Sequence, residues 1–135
     1  MRGSRCLYQF PLKGHPRIHK ASLTSKSIAK AVAQYALDKK AEDIVILDMR
    51  KLVNFCDYFV LCSGTSDRHV VAIAEGVEEE LKKLGVTMPF KDGLRNAQWV
   101  VYDAGDVVVH FFQKEFREFY NLEYLWQEAK QVKWD

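Results

Sequence analysis

Between Ser25 and Lys39 the apolar residues Ile28, Val32 and Ala36, with Ala29, Ala33 and Leu37 beside them, recur at helical spacing and form one wide apolar face. This predicts a first helix over those residues, with Ser25 as its cap. Asp43 to Met49 reads differently, because Ile44-Val45-Ile46-Leu47 is apolar on both faces and rich in β-branched side chains, as a buried strand requires. Tyr58 to Cys62 is a second short apolar run. It ends at Ser63-Gly64-Thr65-Ser66, after which Val70, Ile73, Ala74, Val77, Leu81 and Leu84 return to helical spacing. The change of period marks a strand-to-helix corner, with Thr65 or Ser66 capping a helix that runs from about Ser66 to Leu84. Glu78, Glu79, Glu80, Lys82 and Lys83 give that helix a solvated face, and Gly85 suits a left-handed cap.

Further on, Met88 to Phe90 reads as a short strand and Lys91 to Ala97 as a loop containing Gly93. Gln98 to Tyr102 and Asp106 to Phe112 flank Asp103-Ala104-Gly105 as a hairpin. A two-residue loop and a type I turn with a glycine bulge both fit, so the register stays open. Under either, Trp99 and Val101 share one strand face and Val100 and Tyr102 the other. If about three helices cover one side of the sheet, an exposed Trp99 patch marks a protein interface; a helix on each side would bury both faces. Phe116, Phe119, Tyr120, Leu122, Leu125 and Trp126 read as core packing, with Asn121 capping a final helix to about Gln131. The whole is an α/β (α+β) pattern of about five strands and about three helices.

The chain's 135 residues, 48% of them hydrophobic, are enough for one domain with a real core, expected over residues 23–135. Residues 1–22 read as a flexible basic extension. Arg2, Arg5, Lys13, Arg17 and Lys20 lie in the first twenty residues without an acid, which leaves fifteen basic against eighteen acidic residues elsewhere, a net of −3. A mildly acidic body argues against a broad phosphate-binding surface or sequence-specific nucleic-acid recognition and favours a basic protein partner. The acid-poor start resembles an organellar presequence, although Pro11 and Pro16 interrupt the amphipathic helix such signals use. Cys6, Cys56 and Cys62 are odd in number and contain no Cys-x-x-Cys pair, so a reducing compartment is the simplest reading. No apolar run approaches the roughly 20 residues of a membrane span.

Candidate chemistry is sparse. Asp57, His69, Asp103, Asp106 and His110 show no metal-site spacing, and His110 within an apolar strand reads as a hydrogen-bonded core histidine. The turn from Ser63 to Ser66 could offer backbone donors to a phosphate, which keeps a nucleotide-binding or metal-dependent nucleotidyl transferase as the alternative. Such an enzyme would want acidic residues spaced by one along a strand downstream of the turn, and that pair is missing. The expectation is a non-enzyme without metal or cofactor.

Three stretches carry a resemblance: Asp57-Tyr58-Phe59-Val60-Leu61-Cys62-Ser63-Gly64-Thr65-Ser66-Asp67-Arg68-His69, then Trp99-Val100-Val101-Tyr102-Asp103-Ala104-Gly105-Asp106-Val107-Val108-Val109-His110, then Arg117-Glu118-Phe119-Tyr120-Asn121-Leu122-Glu123-Tyr124-Leu125-Trp126. In order and spacing they closely resemble the Iojap family, the ribosomal silencing factors, over about Ser25 to Trp126. The resemblance implies a mixed α/β domain similar to the nucleotidyl transferase fold without its catalytic carboxylates. It also implies binding to the large ribosomal subunit through its fourteenth protein, blocked subunit joining, less translation when nutrients are short, and a homodimer when free. A cytoplasmic bacterial location follows, or an organellar one. By motif position the contact surface would centre on Trp99, Asp103, Ala104, Gly105 and Asp106, with Arg68 and His69 as neighbours. Asp57, Ser63, Gly64, Thr65, Ser66, His110, Tyr120 and Trp126 would be structural motif positions. Ala104 departs from the family's usual tyrosine or leucine, and Asp92-Gly93 from its usual Glu-Gly.

Overall fold

A computed structural model describes residues 23–134; the basic leader lies outside the described residues. The elements are α1 (Ser25–Asp38), β1 (Glu42–Asp48), β2 (Tyr58–Gly64), α2 (Asp67–Lys83), β3 (Phe90–Asp92), β4 (Trp99–Asp103), β5 (Val107–Gln113), α3 (Lys114–Tyr120), the single turn α4 (Leu122–Leu125) and β6 (Lys130–Gln131). The strands form one mixed sheet in the order β3-β4-β5-β2-β1-β6. Only β2 and β5 pair in parallel; every other neighbouring pair is antiparallel. This is the expected α/β class with a sixth strand added.

Alternation along the strands sorts the core into two layers. Tyr58, Val60 and Cys62 of β2, Val107, Val109 and Phe111 of β5, and Val100 and Tyr102 of β4 pack under α1 and α2. Phe59 and Leu61, Val108 and Phe112, and Leu47 of β1 face the other way, with Leu122 buried among them and Trp99, Val101 and Trp126 packed against them. Both long helices therefore cover one face, and the C-terminal α3–α4 segment covers part of the second. β2 is buried along its entire length because it is central and covered on both sides.

Several boundaries differ from expectation for local reasons. Thr24, not Ser25, caps α1: its Oγ1 accepts the Ser27 N–H at 3.1 Å, while the Ser25 hydroxyl donates to Asp57 at 2.7 Å in the interior. Ser66 caps α2, accepting the His69 N–H at 3.1 Å. The short strand lies at Phe90–Asp92, three residues that pair with Val101–Asp103, rather than at Met88–Phe90. The final helix expected from Asn121 to Gln131 does not form. Asn121 sits in the left-handed region (φ 49°, ψ 55°) and ends α3, and the chain then makes one turn and returns as β6 beside β1.

The hairpin register is also settled. Asp103 lies opposite Val108 and Val101 opposite His110, and the Ala104 N–H donates to the Val107 carbonyl at 2.9 Å. Gly105 and Asp106 are thus a two-residue loop, and Gly105, at φ +97°, takes the position where a type II′ turn needs glycine.

Candidate partner-binding surface

With Trp99 opposite Phe112, the indole lies diagonally across from His110 on the face that carries α3. Its Nε1–H donates to His110 Nδ1 at 3.0 Å. The indole stacks on Phe112, with centroids 5.4 Å apart and planes 24° apart, and meets the Tyr120 ring at 4.7 Å. Because an indole N–H only donates, Nδ1 must be the unprotonated nitrogen of a neutral imidazole, with the proton on Nε2. His110 is 6% exposed, and burial pushes its pKa down to about 4, so it is neutral at ordinary pH. Its Nε2 is buried and finds no protein acceptor among the described residues.

Trp99 itself is half-buried, as is Val101, while Phe90, opposite Asp103 on the neighbouring edge strand, is 54% exposed. Alternation puts all three on the same face of the sheet. The two options read from the sequence are therefore both incomplete. A helix does cover this face, but β4 and β3 lie beyond it and keep a partly open apolar strip.

The hairpin tip continues the strip. Asp103 Oδ1 accepts the Gly105 N–H at 2.7 Å, and the Asp106 carbonyl accepts the Asp57 and Tyr58 N–H groups at 2.7 and 3.1 Å, tying the tip to the start of β2. Gly105 is exposed and Asp103 half-buried, whereas Ala104 and Asp106 are buried.

The corner between β2 and α2 is tied together by several internal hydrogen bonds. Gly64 lies so close to α2 that an added Cβ would stand 3.0 Å from the Val70 backbone nitrogen. His69 Nδ1 accepts the Thr65 N–H at 2.9 Å, so Nε2 carries the proton and donates to the Lys39 carbonyl at 3.0 Å, bridging α1 and α2. Asp67 takes the Arg68 N–H at 2.7 Å, and the Ser66 carbonyl takes that of Val70. The N–H groups of Thr65, Arg68, His69 and Val70 are thus already used, beside an acidic residue, which weighs against a nucleotide at this turn. No group of His, Cys, Asp and Glu with metal-binding geometry occurs among the described residues.

These positions do not form one cluster. The pairings Tyr58 with Val107 and Gly64 with Gln113 place the hairpin tip beside the start of β2, while α2 begins past its end. Arg68 and His69 are therefore not neighbours of Asp103–Asp106. They share an end of the sheet with Trp99, but α2 packs on the opposite face. There Arg68 lines a groove of about 290 Å³ with Asp67, Glu75, Leu94 and Arg95.

The sequence pattern alone does not reveal the role of Arg117. It is buried on α3, where its Nη1 donates to the Ser63 hydroxyl at 2.9 Å and to the Asp43 carbonyl, while its other nitrogens make a paired contact with Glu123 at 3.0 Å each. Asp43 holds a left-handed bulge in β1 (φ 51°), so one guanidinium fastens α3, α4, β1 and β2 together. Its signal was a lone arginine inside an aromatic stretch with an acid six residues later.

A family model described as "Ribosomal silencing factor during starvation" matches residues 22–135. The chain is 44% identical over 107 residues to the Bacillus subtilis protein named ribosomal silencing factor RsfS, covering 79% of this chain and 91% of the relative. It is 33% identical to the chloroplastic protein Iojap of Zea mays, covering 78% of this chain and 46% of that longer relative. A crystal structure of a Chromobacterium violaceum protein superposes with a TM-score of 0.76 at 35% identity, over 78% of this chain and 88% of the other. One from Bacillus halodurans gives 0.71 at 36%, over 80% and 98%. Sequence and architecture agree, and the chain belongs to the ribosomal silencing factor family.

Proposed function

We propose that this chain is a non-catalytic translation repressor that binds the large ribosomal subunit through its fourteenth protein and blocks joining of the small subunit when nutrients are short. The observation that carries this reading is the half-buried Trp99, held flat in an aromatic setting at one end of an otherwise open apolar strip. Aromatic anchors with polar rims supply most of the energy of protein interfaces. The proposed contact surface is the outer face of β4, from Trp99 through Val101 to Asp103, continuing over Ala104, Gly105 and Asp106 at the tip, with Phe90 along its edge. Ala104 is buried, so at the tip the exposed contact is left to Gly105. Arg68 and His69, on the helix side of the sheet, lie behind this surface.

An excess of acid outside the leader suits a basic ribosomal protein and steers its approach. A homodimer when free is also proposed; if its contact overlaps this strip, dimerisation competes with ribosome binding. No helix among the described residues is long and apolar enough to cross a membrane. A cytoplasmic or organellar site of action is proposed by analogy with the bacterial and chloroplast relatives.

The test is co-sedimentation with separated ribosomal subunits alongside a subunit-joining assay. The wild type is expected to pellet with large subunits only and to inhibit joining, and Trp99→Ala to lose both while keeping the native circular dichroism spectrum. Undiminished binding by a folded Trp99→Ala protein would refute the surface, and absence of wild-type binding would refute the function.

A further inference from the structure

β5 reads Val107-Val108-Val109-His110-Phe111-Phe112, so His110 alone breaks a run of apolar residues in the interior of the sheet. Its burial has a cost: the imidazole is stripped of water, and its Nε2–H has no acceptor among the described residues. An apolar side chain of similar size would suit the strand better. What the imidazole provides is one acceptor, Nδ1, beneath the indole N–H of Trp99 at 3.0 Å.

We infer that His110 is a positioning residue for the partner site: it is too buried to touch a partner and acts by fixing the plane of Trp99 before the partner arrives. Phe112 and Tyr120 confine the indole by contact, but neither ring holds its N–H end. Without Nδ1 the N–H either goes unpaired when a partner covers it or turns the ring outward to reach water, and both raise the cost of binding. The inference rests on the partner-binding reading of Trp99 and adds the group that organises it. It also accounts for a residue that weakens the strand in which it stands, as expected where a site trades stability for pre-organisation.

The test compares three variants. His110→Leu removes the acceptor; His110→Asn places an oxygen close to the Nδ1 position; His110→Gln moves the acceptor toward the Nε2 position, away from the indole. At neutral pH His110→Leu is expected to be at least as resistant to urea as the wild type yet to bind large subunits about tenfold more weakly. His110→Gln should weaken binding similarly, and His110→Asn should retain it. The Trp99 indole N–H resonance, downfield when hydrogen bonded, should move upfield in the Leu and Gln variants and stay in place in the Asn variant.

Wild-type affinity in both His110→Leu and His110→Gln, measured while Trp99→Ala abolishes binding, overturns the inference and leaves the proposed surface standing. Affinity that falls only in step with stability across the three variants also overturns it, since that pattern belongs to a merely structural histidine. Wild-type affinity in Trp99→Ala refutes the surface and the inference with it. Should the Leu variant not fold, the Asn and Gln pair decides alone, and equal binding by the two counts against positioning.

Discussion

Acidification from about pH 7.5 to pH 5 is predicted to destabilise the fold by about 2 kcal/mol through His110 alone. The imidazole is 6% exposed and its pKa is pushed down to about 4 by burial, whereas in the unfolded chain it returns to about 6.5. Between those values the unfolded chain binds a proton that the folded chain refuses. Stability is therefore full above about pH 6.5, declines as pH falls through the window, and has lost its whole increment below about pH 4. The full difference of about 2.5 pH units corresponds to about 3.4 kcal/mol at 1.36 kcal/mol per unit, of which about 2 is lost by pH 5. The hydrogen bond works in the same direction, because a proton on Nδ1 would face the Trp99 N–H donor to donor.

The assay is urea unfolding of the wild type and His110→Leu at several pH values across this window. Carboxylates titrate in both proteins and cancel in the difference, which isolates the histidine. The advantage of the Leu variant should grow by about 2 kcal/mol between pH 7.5 and pH 5. A difference that stays flat would mean that His110 titrates normally in the fold and is not the neutral acceptor described above.

Three further substitutions probe the supports of the surface. Arg117→Ala strands the Ser63 hydroxyl, the Asp43 carbonyl and Glu123, and should cost about 3 kcal/mol in chemical denaturation, against about 1 for Glu123→Gln, whose site is partly exposed. Equal effects would show that the guanidinium's other two contacts contribute nothing. Gly93→Ala puts a Cβ into the Trp99 carbonyl oxygen at φ +89°, so it should destabilise by more than about 2 kcal/mol and shift the Trp99 indole resonance. A melting temperature like that of the wild type would exclude this close approach.

Most of the fold was legible because its elements are locally consistent. The three-and-four recurrence from Ile28 to Ala36 and from Val70 to Leu81 can only be helical, and β1, β2 and β5 are short β-branched or aromatic runs between turns. The C-terminal segment was misread because Asn121 suits either end of a helix. A side-chain oxygen suits an N-cap and tolerance of the left-handed region suits a C-cap, and only packing of the neighbouring aromatics against the sheet selects the second. The geometry of the proposed surface was half legible. Trp99 stands out as a large aromatic on a strand apolar on both sides, but its bond to His110 depends on a hairpin register that two turn types left open. The grouping of Arg68 and His69 with the hairpin failed for a topological reason: β2 and β5 run in parallel, which sends the corner and the hairpin to opposite ends of the sheet.

That single parallel pairing also orders the events of synthesis. β1 and β2 can zip together soon after both emerge, and β4 with β5 close locally through their two-residue loop. Within the sheet these two hairpins join along β2 and β5, with α2 and β3 made in between. Until then β2, the most buried strand of the molecule, offers an open apolar edge to any neighbouring chain. The newborn protein is thus most vulnerable to misassembly in the interval between its second and fifth strands, and α1 and α2, gathering over one face of the early half, are what shelter it then.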